Sequence, residues 1–140
     1  MNVLDFEDVE IPEGVDMLTG IFDAQVALMD KYHDIERDRG FIVVDDESQG
    51  DIDNRFVQFR IKDLNARAIE ELMEAMNTLK NKPWKQSEVT TDKVHFYEEI
   101  GDALHFFIEL CITAGMTAED LARIYHRKHA VNQFRQESKY

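Results

Sequence analysis

The sequence predicts an all-α protein, a helical bundle of about four main helices that assembles as an oligomer. Two observations carry this. Apolar residues recur at intervals of three to four in four separate stretches, which is the period of an amphipathic helix. Helix punctuation stands between these stretches: Pro83, Gly115 and the pair Thr117 and Asp120. A third observation excludes the main alternative. Phe41 to Val44 is strand-like, but a lone strand has no partner here, so residues 38–53 are expected to form a loop or edge segment that packs on a neighbour.

Residues 1–14 have no clear period and close on Pro12 and Gly14, so they read as an arm preceding the domain. The first helix is expected from Val15 to about Arg37, with Met17, Leu18, Ile21, Phe22, Val26, Leu28, Met29 and Tyr32 on its apolar side. After the acidic, glycine-bounded segment 38–53, a second helix is expected from about Asn54 to Asn81. Its stripe includes Ile69, Leu72, Met76 and Leu79, and Pro83 stops it. Lys82 to Lys85 then make a linker. A third helix runs from Thr91-Asp92 to about Thr113, with Phe96, Ile100, Leu104, Phe107, Ile108 and Cys111 as its stripe and Gly115 as its stop. Thr117 with Asp120 resembles a capping box that opens a last helix from Ala118 towards Glu137. These stripes are wide for four helices and a long loop, so apolar surface should remain exposed and favour self-association.

Composition bounds the chemistry. The 140 residues suit one domain spanning 1–140, and a 44% hydrophobic content supports a packed core. With 16 Lys+Arg against 29 Asp+Glu the formal charge is -13. Such a chain repels nucleic acid and anionic membrane, so neither is expected as a partner. The one cysteine, Cys111, sits in an apolar run and reads as a reduced core residue. No stretch has the length of a membrane span and no signal-peptide run opens the sequence, so a cytoplasmic location is expected.

Two pairs of acids stand out. Glu71 and Glu74 lie three apart on the second helix, as do Glu99 and Asp102 on the third, and residues three apart share a helix face. Both pairs flank their stripes in the same rotational sense, so both could border one cleft. From Val94 to Thr113 there is no Lys or Arg, which leaves Glu98, Glu99, Asp102 and Glu109 without a partner on their own helix. Four acids in one small volume raise one another's pKa, and a divalent cation relieves the conflict. Oxygen-only ligands favour Mg²⁺, with Mn²⁺ able to substitute, over zinc. The scattered histidines make no zinc constellation. On the last helix Lys128, Asn132 and Arg135 fall on one face, a spacing suited to phosphate oxygens, with Tyr125 one turn earlier. Trp84, between Lys82 and Lys85 in a linker, reads as an aromatic that either stacks on a base or plugs the end of the bundle. A cation cluster next to a Lys–Asn–Arg stripe is what a nucleoside triphosphate requires.

At these residues the chain resembles the all-α NTP pyrophosphatase superfamily, marked by ExxE on one helix and ExxD on the next. Within it, the sequence is most similar to dimeric dUTPases and to phage-encoded dCTP/dUTP pyrophosphatases. The text that carries the resemblance is EELMEAM, NKPWK, EEIGDALHFF, AGMTAEDL and YHRKHAVNQFRQESKY, from about Arg67 to Tyr140, with Gln25 in FDAQVALMDK resembling a family glutamine near the nucleotide. Residues 38–62 carry no match. The sequence departs from the pattern at His129, where the family has asparagine, at Lys139 before the final Tyr140, and in keeping a single linker tryptophan.

The resemblance implies a Mg²⁺-dependent pyrophosphohydrolase that converts dUTP, and also dCTP, to the monophosphate and pyrophosphate. It implies that Glu71, Glu74, Glu99 and Asp102 are the catalytic metal ligands and that Lys128, Asn132 and Arg135 bind phosphate. Gln25, Trp84, Lys85, Phe106 and Tyr125 are then expected around the base and sugar. A homodimer is favoured over a tetramer, in the cytoplasm or, for a phage-encoded chain, in that of the host. The alternatives are a MazG-like pyrophosphohydrolase for a purine dNTP and a non-catalytic helical binding protein.

Overall fold

The computed structural model describes residues 9–11 and 13–138. Among these it contains four helices and no strand: α1 (Met17–Asp38), α2 (Arg55–Asn77), α3 (Lys93–Thr113) and α4 (Ala118–Glu137). Most of the arm expected over 1–14, and Lys139 and Tyr140, lie outside the described residues.

Each helix starts where a side chain satisfies its free amides. The Asp16 carboxylate accepts from the Thr19 N–H at 3.0 Å and the Thr19 hydroxyl at 2.6 Å. Asn54 Oδ1 accepts from Phe56 N–H at 2.8 Å, and Asp92 Oδ1 from His95 N–H at 3.1 Å. The capping box is formed: Thr117 N–H donates to Asp120 Oδ2 at 3.0 Å, and Asp120 N–H to Thr117 Oγ1 at 3.1 Å. The second helix ends at Asn77, four residues short of the expected end. There Thr78 turns its hydroxyl back onto the Ala75 carbonyl at 2.7 Å. The amides of Thr78 and Leu79 reach carbonyls three residues back, closing a tight final turn. Asn81 serves the following loop instead, gripping the Val89 backbone by Nδ2–H to the carbonyl and by Oδ1 from the N–H, both at 2.9 Å.

α2 and α3 pack antiparallel, so that Arg60 meets Glu109 near one end and Glu71 meets Glu99 and Asp102 further along. Val57 and Leu64 are fully buried on α2. α1 lies on α3, where Phe22 and Met29 join Ile108, Cys111, Ile112 and Ala118 in one core, edged by Leu18, Met116 and Leu121. The segment between α1 and α2 is a loop anchored at the α3–α4 corner. Gly50 N–H donates to the Thr113 carbonyl at 3.0 Å, and Gly50 and Gly115 meet backbone to backbone in left-handed conformations.

The expected stripes are only partly covered. Ile69, Leu72 and Met76 of α2, Leu79 just beyond its end, and Ile100, Leu104 and Phe107 of α3 are each between 38% and 51% exposed. The buried face of α2 is carried by Val57, Leu64 and Ala75 instead. The α2–α3 pair thus has a covered face towards α1 and a second apolar face with no layer over it among the described residues. No single helix among the described residues is long and apolar enough to cross a membrane.

Candidate metal and nucleotide site

The antiparallel α2–α3 pair sets Glu71 and Glu74 opposite Glu99 and Asp102. Oxygen atoms of Glu71, Glu99 and Asp102 lie within 4.8 Å of one another. Glu74 stands beside them, close enough for Glu99 to raise its carboxyl. Among the described residues no Lys or Arg forms an ion pair with any of the four. The one basic group in contact is His95, whose Nε2 lies 3.1 Å from Glu99 Oε1. Glu99 Oε2 is buried without an N–H or hydroxyl donor among the described residues.

The electrostatics follow from this crowding. Hydrogen bonding to Glu99, then burial, then repulsion from Glu74 and Asp102 raise the Glu71 carboxyl to about 7. Glu74 is raised for the same first reason and by the charge of Glu99. Glu99 is lowered, because Glu71 and Glu74 donate to it while His95 adds a further hydrogen bond. The cluster therefore retains protons close to neutral pH unless a cation replaces them. Hard oxygen donors, a buried oxygen without an N–H or hydroxyl donor and stored like-charge repulsion all suit Mg²⁺ or Mn²⁺.

Beside the carboxylates, α1, α2 and α3 enclose a cavity of about 500 Å³, a size typical of small-molecule sites. Glu71 and Asp102 line one part of it. Leu28, Tyr32, Ile35 and Phe106 supply a largely apolar wall. Gln25, only 5% exposed, lines it as well, and its Oε1 lies 3.0 Å from His105 Nδ1. Behind these sits a buried charge bridge. Arg60 donates to Glu36 at 3.2 and 3.3 Å and to Glu109 at 3.1 Å, linking all three helices. Glu109 thus finds on α2 the counter-charge that its own helix does not supply. Arg67 pairs with Asp63 at 3.0 Å and places its guanidinium 5.9 Å from the centre of the Phe106 ring.

Of the residues singled out from the sequence, Gln25, Glu71, Asp102 and Phe106 line this cavity, and Glu74 and Glu99 adjoin it through the carboxylate cluster. Trp84, Lys85, Tyr125, Lys128, Asn132 and Arg135 do not line it. Trp84 is 76% exposed on the 78–92 linker, with the Lys82 ammonium 5.8 Å from its ring centre. α4 turns 101° from α3 and docks on the core through Ala118 and Leu121, then runs exposed, with Tyr125 stacked on His129. Four polar residues of the cavity wall had not been singled out: Glu36, Arg60, Arg67 and His105. His105 follows Asp102 by three, which was a readable signal. Arg60 precedes Glu71 by eleven residues, about three helical turns, and so shares its face.

A family model for dUTPase matches residues 107–140, the end of α3 and all of α4. The match contains Tyr125, Lys128, Asn132 and Arg135 but none of the four clustered acids. It makes the C-terminal part of the chain similar to dUTPases and supports a dUTP pyrophosphatase type of activity. No curated protein and no solved structure matches the chain.

Proposed function

We propose that this chain is a Mg²⁺-dependent nucleoside triphosphate pyrophosphohydrolase that acts on dUTP, with dCTP as a second substrate, and yields the monophosphate and pyrophosphate. The observation that carries the reading is the carboxylate cluster of Glu71, Glu74, Glu99 and Asp102, unneutralised by Lys or Arg and bordering a cavity of nucleoside size. The dUTPase match over residues 107–140 supports the substrate class.

In this reading the four acids hold Mg²⁺, or Mn²⁺ in its place. The bound ion would neutralise phosphate oxygens and lower the pKa of an attacking water. Glu71 or Glu74 doubles as the base that orients this water. Gln25, Tyr32 and Phe106 receive the base and sugar, and Arg60 keeps the carboxylate of Glu109 from competing for the cation. Lys128, Asn132 and Arg135 hold the phosphates, and since α4 leads away from its own cavity they do so from a second copy.

Self-association is part of the proposal, with a homodimer favoured. The chain exposes 11480 Å², against about 7,500 Å² expected for a folded single chain of this mass. The uncovered α2–α3 face and the exposed Ile124, Tyr125 and Phe134 of α4 supply the apolar surface such an interface buries.

The test is pyrophosphate release from dUTP, dCTP, dTTP, dATP, dGTP and UTP, with Mg²⁺ and with chelator. Mg²⁺-dependent preference for dUTP or dCTP is expected, and Glu99→Gln should abolish it while the helical circular dichroism persists. Near-normal turnover in that variant would sink the site assignment, and preference for a purine would overturn the base.

A further inference from the structure

We propose that a second cavity, at the other end of the carboxylate cluster, receives the departing pyrophosphate, with Lys80 as its charged contact. The inference rests on the pyrophosphohydrolase reading above and adds to it the direction in which the triphosphate lies. This cavity has a volume of about 440 Å³, and Glu74, Asn77, Lys80, Thr90 and His95 are among the residues that line it. The antiparallel pair fixes the order of the parts. Along α2 the chain passes from Arg67 and Glu71 in the first cavity, through Glu74, to Asn77 in the second. Along α3, in the opposite sense, Phe106 and Asp102 belong to the first cavity, Glu99 to the carboxylates and His95 to the second. Cavity, carboxylates and cavity therefore stand in one line. Glu71 and Thr78, on the walls of the two cavities, are about 10 Å apart along the helix axis, a reach that a triphosphate chain covers.

The two ends differ in chemistry. The first offers Leu28, Tyr32, Ile35 and Phe106, against which a ring packs. The second has no Phe, Tyr or Trp among its described lining residues and offers hydroxyls, an amide and an ammonium. The Lys80 ammonium and the side chains of Asn77 and Thr90 make no hydrogen bond or ion pair among the described residues, so their donors are unspent. Asp92 and His95 are engaged already: Asp92 Oδ1 accepts from the His95 N–H at 3.1 Å, and His95 Nε2 lies 3.1 Å from Glu99 Oε1. The Asn81 side chain, bonded twice to the Val89 backbone at 2.9 Å, ties the strand of linker that carries Thr90 back to the end of α2 beside Lys80. Glu74 brings only negative charge to this end, so a phosphate tail needs a cation from the protein, and an ammonium meets phosphate oxygens from any side. A nucleoside monophosphate, held by the first cavity and the carboxylates, ends before Lys80; pyrophosphate does not.

The experiment is calorimetric titration of the full chain with inorganic pyrophosphate and, separately, with dUMP, both in MgCl₂. Lys80→Ala should weaken pyrophosphate about tenfold or more, the scale of one hydrogen bond to a charged group. Lys80→Arg should restore most of that, and dUMP should bind both variants as it binds the wild type. In ¹H–¹⁵N spectra pyrophosphate should move the Thr90 amide and the Asn77 side-chain amide beyond where Mg²⁺ alone sets them, whereas deoxyuridine should move the Phe106 amide. A wild type that does not bind pyrophosphate, unchanged binding in Lys80→Ala, an equal loss for dUMP, or pyrophosphate shifts at Phe106 in place of Thr90 would each overturn the site. These are binding measurements and stand apart from turnover. If no triphosphate is hydrolysed, the pyrophosphohydrolase reading falls, and pyrophosphate affinity with its loss in Lys80→Ala still decides the site.

Discussion

Binding of Mg²⁺ to the metal-free protein should expel protons, and Glu71 sets the number. Its carboxyl is raised to about 7 by the hydrogen bond to Glu99, by burial and by the charges of Glu74 and Asp102. A group titrating there is about 0.9 protonated at pH 6, half protonated at pH 7 and about 0.1 protonated at pH 8. A carboxylate must lose its proton to bind the ion, so proton release should follow those fractions. The same competition weakens apparent affinity about fivefold between pH 7 and pH 6. Glu74, also raised, increases both effects. Calorimetric titration with MgCl₂ at pH 6 and pH 8, each in two buffers of different ionisation heat, gives the proton count directly. An equal count at the two pH values would refute the reasoning, because it would mean that no retained proton stands in the ion's place. The sign for stability is fixed too. Between about pH 4.5 and 7 the folded form holds a proton that the unfolded chain has released, so the metal-free fold loses stability as pH rises through that window. Added Mg²⁺ should restore it, most visibly above pH 7.

Three further outcomes are expected in urea denaturation followed by circular dichroism at fixed protein concentration. Arg60→Leu strands the buried Glu109 carboxylate and should cost about 3–5 kcal/mol at pH 7, with most of it regained by Arg60→Leu/Glu109→Leu; no recovery in the double variant would contradict the bridge. Leu64→Ala, at a fully buried position, should cost about 2–5 kcal/mol, and a loss below 1 kcal/mol would show that α2 and α3 do not pack as described. Gly115→Ala combines a φ of +86° with a new Cβ only 2.8 Å from Gly50 Cα. It should cost about 1–3 kcal/mol and speed hydrogen exchange at the Gly50 amide, and unchanged exchange would separate that amide from the α3–α4 corner.

The helices were legible because their causes are local. Asp16, Asn54, Asp92 and Thr117 cap from within one turn, and apolar spacing is written along each segment. The end of α2 was misplaced because proline marks where a helix has to stop. Here the Thr78 hydroxyl and the Asn81 amide stop it four residues earlier by hydrogen bonds that propensity does not contain. The acid pairs were legible for the same local reason, since a spacing of three defines a shared face. That both would meet depended on antiparallel packing, which the rotational sense of each pair only suggested. Arg60 with Glu109 and Gln25 with His105 join residues 49 and 80 positions apart; no spacing rule reaches across two helices. The stripes on α2 and α3 were identified as apolar, but whether one chain covers them depends on how many layers pack, which a single sequence does not number.

Trp84 is the chain's one tryptophan, and it stands on the 78–92 linker 76% exposed rather than in the core. The protein's tryptophan fluorescence is therefore the signal of a single loop. Emission should sit close to that of free indole in water and should change little when the helices melt, so an unfolding curve read at this wavelength would be nearly blank. The same placement makes the ring a built-in reporter. With the Asn81 grip on Val89 closing the loop at its base, a blue shift on adding nucleotide or on raising protein concentration would register, without any label, that another surface had come down over it.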